Sequence, residues 1–166
     1  MISETYVEHL VARKTPFFMR FLKTLLIMFT ACFVLIGLTF MNALALLLAV
    51  VAGIASYFVY MNADIEYEYL YLDKEISVDK VMAKSKRKKV AAYDIERMEI
   101  LAPVKSYHLD DYRNRTMKTI DYSSGTAQND KTYMMVYEGN IKIMWEPSPE
   151  MVKAIQMVAP RKVFTD

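Results

Sequence analysis

The chain has 166 residues, of which 21 are Lys or Arg and 19 are Asp or Glu, and its formal net charge is +2. Residues 64–166 contain equal numbers of basic and acidic side chains. This neutrality argues against a dedicated nucleic-acid binder, which normally has a marked basic excess. Because Cys32 is the single cysteine, an intramolecular disulfide is excluded.

The N-terminal segment, residues 2–14, is predicted to form a short amphipathic helix. Thr5 and Glu8 have the spacing of a capping box. Apolar residues recur at intervals of three to four positions: Tyr6, Val7, Leu10 and Val11. We therefore interpret residues 1–23 as a cytoplasmic head whose helix lies on the inner lipid surface or packs on the soluble domain.

Residues 24–63 form an apolar segment without a formal charge. One membrane-spanning helix needs about 20 apolar residues, so the segment is too long for one span and suits two. Asn42 is strongly polar and accepts turn conformations, so we predict helices over residues 24–40 and 43–60, joined at Met41 and Asn42. Neither helix contains an ionisable residue, which argues against a transport site formed by this chain alone.

Basic residues near the helix ends predict the orientation of this hairpin. Four of them precede the apolar segment, namely Arg13, Lys14, Arg20 and Lys23, whereas the connection between the helices has none. Because positive charge favours the cytoplasmic side, we predict a multi-pass protein of the cell membrane with both termini in the cytoplasm. The same four residues are candidate contacts for anionic lipid head groups.

Small residues recur every four positions along the second helix, at Ala45, Ala49 and Gly53. Small side chains let helix backbones approach closely, so these three are candidate helix-packing residues. Their partner is either the first helix of the same hairpin or another membrane protein.

After residue 64 the apolar period changes from that of a helix to that of a strand. Strands are predicted over residues 64–72, where tyrosines alternate with mostly acidic neighbours, over residues 75–83, from residue 90 and around residues 95–101. Residues 105–131 are polar, with one short strand over residues 117–122.

Residues 132–138 and 141–146 are predicted to form a hairpin with a two-residue turn at Gly139 and Asn140. Pairing across that turn places five residues on one core face: Met134, Val136, Ile141, Ile143 and Trp145. A last helix follows, with Ser148 as its N-cap and Pro149 at its first position. Its apolar face consists of Met151, Val152, Ile155 and Val158.

Two local patterns and the order of the elements give the chain a resemblance to a known family. The patterns are the basic strand entry KKV at residues 88–90 leading to YDIERM at residues 93–98, and the strand-to-helix junction IMWEPSPEM at residues 143–151. With its paired membrane helices, the chain resembles small bacterial membrane proteins that carry a pleckstrin-homology-like (PH-like) domain on the cytoplasmic side.

The resemblance implies a membrane α-hairpin joined to a β-rich α+β domain. That domain, residues 64–166, would be an antiparallel barrel or sandwich with a C-terminal helix. The resemblance also implies binding or scaffolding, with no catalytic residues to transfer and no cofactor.

The basic run of residues 84–89 is the sharpest local feature of the domain. It supplies five candidate lipid contacts: Lys84, Lys86, Arg87, Lys88 and Lys89. Polybasic segments near a bilayer bind acidic head groups. Pairing with the acidic residues between positions 64 and 79 would instead neutralise the run within the fold.

Signatures of catalysis and metal binding are absent from the sequence. His108, Asp110 and Asp111 match no strong ligand motif, so we interpret them as part of a solvated loop. The chain has no Gly-x-Ser-x-Gly elbow, and its 4 glycines form no phosphate-binding loop. We therefore predict no enzymatic activity, no metal site and no cofactor.

The leading functional hypothesis is a membrane-tethered module that holds its PH-like domain at the inner leaflet and recruits or regulates a protein partner. A second hypothesis is a structural subunit of a larger membrane complex, assembled through the helices with another protein or a second copy of the chain. A third is binding of anionic lipid head groups through the basic run. We expect no nucleic-acid ligand.

Overall fold

The computed structural model of the protein describes residues 6–126 and 130–166. The chain divides into two compact units. The hairpin unit comprises residues 15–65 and 82–86, and the sheet unit comprises the remaining described residues.

The hairpin unit contains two long helices, α1 over Phe17–Thr39 and α2 over Ala43–Ala63. Asn42 is the N-cap of α2, and its side-chain oxygen accepts hydrogen bonds from the backbone N–H groups of Leu44 at 3.0 Å and Ala45 at 3.2 Å. These two N–H groups have no acceptor within the helix, so the cap satisfies them. The predicted turn at Asn42 is thereby confirmed.

The first helix is longer than predicted. It begins at Phe17 rather than at residue 24, with Pro16 at its N-cap. Arg20 and Lys23 therefore lie inside α1. Both residue types favour a helix, and their long side chains carry the charge toward a polar surface from a helix end, so their charges do not stop the helix.

The two helices pack through small residues. Ala45 and Ala49 are buried. A Cβ atom built on Gly53 would lie 3.7 Å from Cγ2 of Thr30 in α1. The small-residue face of α2 is therefore used for packing within the hairpin itself.

Most of the apolar surface of both helices is exposed. In the most apolar stretch of each helix, 6% of the residues of α1 and 11% of those of α2 are buried. Both helices are long and apolar enough to cross a membrane. A core helix of a soluble protein would be mostly buried, so the described chain does not cover these helices as a core would.

Sheet 1 has four strands in the order β1-β2-β3-β4. The strands are β1 over Val7–Ala12, β2 over Ile65–Leu72, β3 over Glu75–Met82 and β4 over Lys86–Asp94. β1 is antiparallel to β2, with Val7 opposite Tyr71 and Ala12 opposite Glu66. Along the sequence, α1 and α2 thus lie between two strands that are neighbours in one sheet.

The helix predicted for residues 2–14 is wrong where the structure describes it. Residues 7–12 form β1, while residues 2–5 lie outside the described residues. Val7 and Val11 fit a strand as well as a helix because β-branched residues favour pleated surfaces. β2 supplies the missing partner, since the residues opposite Val7, His9 and Val11 are Tyr71, Tyr69 and Tyr67. The predicted domain of residues 64–166 therefore does not include β1, although β1 is a strand of the same sheet.

Sheet 2 also has four strands, in the order β5-β7-β8-β6. They are β5 over Met98–Pro103, β6 over Lys118–Asp121, β7 over Tyr133–Tyr137 and β8 over Ile141–Trp145. β6 is parallel to β8, while the other two pairs are antiparallel. The described strands therefore form two separate sheets, of which sheet 2 is mixed, and of the barrel and the sandwich expected from the sequence a closed barrel is not formed by them.

The register of the last hairpin differs from the prediction by one position. Ile143 pairs with Met135, and Trp145 pairs with Tyr133. Glu138 has a positive φ of 50°, so the turn takes three residues and shifts the pairing. The apolar pattern could not reveal this shift because adjacent residues of β7 are buried on both faces, including Met134.

The core of the sheet unit is rich in aromatic side chains. The rings of Tyr69 and Trp145 meet edge to face, with 5.2 Å between their centroids. The hydroxyl of Tyr69 donates to the backbone oxygen of Tyr122 at 2.6 Å, and burial raises the pKa of Tyr69. The tyrosine is therefore neutral and bridges the two sheets.

A short helix, α3 over Asp110–Arg113, follows β5, and the last helix, α4 over Pro149–Val158, closes the sheet unit as predicted. The hydroxyl oxygen of Ser148 accepts a hydrogen bond from the N–H of Met151 at 3.2 Å, which confirms the N-cap. Three of the four predicted core residues of the helix are buried, namely Met151, Val152 and Ile155. Val158 is the exception at 42% exposure, because α4 ends there.

Candidate functional site

The basic run begins in the turn between β3 and β4. The backbone N–H of Ala83 donates to the backbone oxygen of Asp64 at 2.8 Å, and Asp64 is the residue that ends α2. Lys84 follows with a positive φ of 54°. Lys84 and Lys86 therefore belong to the hairpin unit, beside the end of its second apolar helix.

The remainder of the run lies along β4 and is partly neutralised by the fold. The guanidinium of Arg87 lies 2.8 Å from the carboxylate of Glu68, and Nζ of Lys89 lies 3.3 Å from that of Glu75. Two of the five candidates thus pair with acidic residues. Within the described chain no ion pair involves the other three, which are the exposed Lys84, Lys86 and Lys88.

Arg13 and Lys14, the basic residues before α1, are bound to the sheet unit. Nη1 of Arg13 donates to the hydroxyl of Tyr67 and to the backbone oxygen of Asp121, both at 3.1 Å. The backbone N–H of Lys14 donates to the oxygen of Ser124 at 2.7 Å. Arg13 therefore stabilises the fold through contacts that do not involve lipid.

The other two predicted head residues lie on α1 in the hairpin unit. Nζ of Lys23 lies 4.3 Å from the ring centroid of Tyr60, a cation–π contact between α1 and α2. Arg20 is exposed. Together with Lys84 and Lys86, these two residues place four basic side chains in the hairpin unit.

A cluster of acidic side chains lies on one face of sheet 1. Glu68 is buried and its carboxylate accepts a hydrogen bond from Nη2 of Arg87 at 2.8 Å. The hydroxyl of Tyr6 donates to Glu8 at 2.7 Å. Burial and a hydrogen bond with Glu8 raise the pKa of Glu68, while hydrogen bonds from Tyr6 and Glu68 lower the pKa of Glu8. The surroundings therefore favour the protonated form of Glu68 and the ionised form of Glu8.

We expect the Glu68→Gln substitution to flatten the pH dependence of stability. Because the pKa of Glu68 is higher in the folded chain than in the unfolded chain, the folded state binds the proton more tightly. Stability therefore falls as pH rises from the ordinary carboxyl value of 4.5 through the raised pKa, and a glutamine cannot lose that proton. Thermal unfolding of the full chain in detergent across this pH range measures the effect.

The matched control for this prediction is Glu75→Gln. Hydrogen bonds from Ser77 and Lys89 lower the pKa of Glu75, so its contribution to stability is present above the ordinary carboxyl range and is lost as pH falls. Its substitution should leave the fall at higher pH in place. Equal pH profiles for wild type and Glu68→Gln would contradict the raised pKa of Glu68.

His108 lies against the C-terminal segment of the sheet unit. Its ring stacks on Phe164, with 3.8 Å between centroids, and its Nε2 lies 3.6 Å from Asp166. Asp110 pairs with Arg113 at 3.3 Å. Within the described residues no group of three or more His, Cys, Asp or Glu side chains is arranged to hold a metal ion.

The sheet unit also has a cavity that the sequence did not reveal. This α4-end cavity has a volume of about 440 Å³ and lies where the turn between β2 and β3, the residues after β4 and the end of α4 meet. Its lining residues are Lys74, Ile95, Glu96, Val158, Ala159, Pro160, Arg161 and Lys162. The only sequence signal was the basic pair after Pro160, which is separated by many residues from the lining positions Lys74, Ile95 and Glu96.

Comparison with known proteins gave one match. The profile of a family described as "Bacterial PH-like domain" matches residues 3–165, which is nearly the whole chain. The comparisons with curated proteins and with solved structures each gave no match.

Proposed function

Because the chain belongs to the family of bacterial PH-like domains, we propose that it is a non-enzymatic binding module, tethered to the cytoplasmic membrane, that recruits or regulates a protein partner. The observation that carries the proposal is the exposed apolar surface of α1 and α2. Surface of this extent needs lipid or another apolar partner. α2 ends at Ala63 and β2 begins at Ile65, so no flexible linker separates the anchor from the sheet.

The pairing of β1 with β2 supports the proposed orientation. β1 precedes α1 and β2 follows α2, yet the two strands are hydrogen-bonded neighbours. If both helices span a bilayer, the segments before and after them must lie on the same side. The basic residues Arg20 and Lys23 at the start of α1 favour the cytoplasmic side.

Affinity isolation of the intact protein in mild detergent tests the proposed recruitment. We expect a defined protein to co-purify in constant proportion with the wild-type chain. If no protein co-purifies with the chain isolated from cells that express it at its normal level, the proposal is contradicted.

A structural subunit assembled through the helices is the second candidate, favoured by the same exposed apolar surface. Substitution of Ala49 would disturb the hairpin itself, because that residue is buried. Val50 is exposed, so Val50→Trp changes the outer helix surface while leaving the internal packing intact. If the partner protein no longer co-purifies with the Val50→Trp variant, the structural-subunit hypothesis is favoured. If it still co-purifies, the binding-module hypothesis is favoured.

Binding of anionic lipid is the third candidate, favoured by Lys84 and Lys86 beside the end of α2, which form no ion pair with the described residues. We expect Lys84→Gln with Lys86→Gln to reduce the anionic lipid that co-purifies with the full chain, since each basic residue near the surface contributes about 1 kcal/mol. Quantitative lipid analysis of the purified protein measures this.

The control for the lipid prediction is Arg87→Gln with Lys89→Gln, which removes the same charge from residues that already pair with Glu68 and Glu75. A smaller loss of anionic lipid is expected from this pair of substitutions. Equal loss from both double variants would show that only net charge matters and would contradict a role for the turn.

A further inference from the structure

The α4-end cavity combines positive charge with apolar walls. Resting on the proposed recruitment of a protein partner, we propose that this cavity docks an acidic segment of that partner. In this arrangement an Asp or Glu side chain of the partner pairs with Arg161, and a neighbouring apolar side chain enters the cavity.

Hydrogen bonds between distant parts of the chain hold the walls of the cavity together. The backbone N–H of Ile95 donates to the oxygen of Lys74 at 2.9 Å. Nζ of Lys162 donates to the backbone oxygen of Glu96 at 2.9 Å, and its backbone N–H donates to the oxygen of Ala159 at 3.0 Å. The turn after β2, the segment after β4 and the end of α4 are thereby joined before any partner arrives, which lowers the entropic cost of binding.

The charges that line the cavity leave one basic group available. Nζ of Lys74 forms an ion pair with the carboxylate of Glu96 at 3.1 Å, and Nζ of Lys162 donates a hydrogen bond to the backbone oxygen of Glu96. Arg161 is exposed, and no acidic side chain of the described residues pairs with it. A guanidinium binds a carboxylate through two parallel hydrogen bonds, so one acidic side chain suits this position.

The apolar part of the cavity distinguishes a peptide from a compact polyanion. Ile95 is buried at its base, and Val158 is 42% exposed at its wall. Met157, the residue before Val158, is 80% exposed. Exposed Met and Arg side chains are typical of protein interfaces, whereas a phosphate group would gain nothing from the apolar walls.

Two substitutions remove charge from the cavity without disturbing the core. Lys74 has a positive φ of 66°, a conformation that glycine adopts without strain, so Lys74→Gly preserves the turn. Arg161→Gln changes an exposed side chain. Lys118→Gln is the matched control, because it removes the same charge from an exposed position on β6 outside the cavity.

The test measures binding of a labelled peptide, Ser-Glu-Leu-Glu-Ser, to the full chain in nanodiscs of neutral lipid by fluorescence anisotropy. We expect Arg161→Gln to weaken binding about tenfold, since a hydrogen bond to a charged group is lost. Lys74→Gly should weaken it less, and Lys118→Gln should leave it unchanged. The peptides Ser-Gln-Leu-Gln-Ser and Ser-Glu-Ser-Glu-Ser should both bind more weakly than the first.

Absence of peptide binding to the wild-type chain would overturn the docking site, as would equal binding by wild type and Arg161→Gln. Equal weakening by Lys118→Gln would do the same, because it would reveal attraction by net charge alone. The proposed function is tested separately: a native partner that co-purifies equally with wild type and Arg161→Gln leaves recruitment standing and overturns this site.

Discussion

Arginine placed at both Val51 and Ile54 is expected to remove the protein from the membrane fraction. Both side chains are more than half exposed, at 58% and 54%, near the middle of α2. In lipid, an arginine at a helix centre costs about 2.5–3.5 kcal/mol, so the pair costs about 5–7 kcal/mol. If this surface of α2 faced water instead, replacing an exposed apolar side chain with arginine would change the free energy of folding very little. Membrane flotation of the full chain distinguishes these cases.

The control for this prediction is Val90→Arg, which adds an arginine at an exposed position of β4. This variant should stay in the membrane fraction with the wild type. If the double variant on α2 also floats with membranes, or if the wild-type chain stays soluble after lysis without detergent, the proposed anchor is incorrect.

The Trp145→Ala substitution is expected to destabilise the sheet unit by about 3–5 kcal/mol, the usual cost of removing a large buried aromatic side chain. Trp145 is 1% exposed and packs edge to face on Tyr69. Its loss leaves a cavity between β8 and β2, which belong to different sheets. Chemical unfolding of the full chain in detergent, followed by tyrosine fluorescence, measures the change in free energy of unfolding.

Two control variants separate packing from the polar group of this tryptophan. Nε1 of Trp145 is buried without a hydrogen-bond partner in the described part of the chain. Trp145→Phe therefore removes an unsatisfied N–H while keeping a ring, and should cost clearly less than Trp145→Ala. Met157→Ala, at an exposed position, should leave stability almost unchanged. Equal losses for the Phe and Ala variants would contradict this account.

The apolar helical hairpin and most strands were predictable because strong local signals specify them. Asn42, the one strongly polar residue between positions 24 and 60, interrupts the apolar segment, and its side chain caps the next helix. In β2 the predicted alternation is present, because Tyr67, Tyr69 and Tyr71 are buried and their neighbours other than Glu68 are less buried. The cap at Ser148 likewise depends only on residues close in sequence.

The errors arose where distant parts of the chain decide the structure. Residues 7–12 form a strand because β2 lies beside them, and β2 follows only after the complete hairpin. The register of β7 and β8 depends on the left-handed conformation of Glu138 and on burial of both strand faces. Neither partner nor conformation is visible in a local apolar pattern.

The candidate sites were predictable only as lists of charged residues. The sequence could not separate Arg87, which pairs with Glu68, from Lys84, which has no such partner in the described chain, because that depends on which strands adjoin. The α4-end cavity was beyond prediction for the same reason. Lys74, Glu96 and Arg161 become neighbours only after the turn, the strand end and the helix end have assembled.

Because α1 and α2 lie between β1 and β2 in the sequence, the two strands can pair only after both helices have been synthesised. β1 leaves the ribosome before α1 and α2, but its neighbour among the described strands of sheet 1 is made after both helices. Closing so long a loop is entropically costly unless the intervening helices have already folded back on each other. β1 therefore remains without its partner strand until both helices have been synthesised, and early packing of α1 against α2 would favour the pairing of β1 with β2.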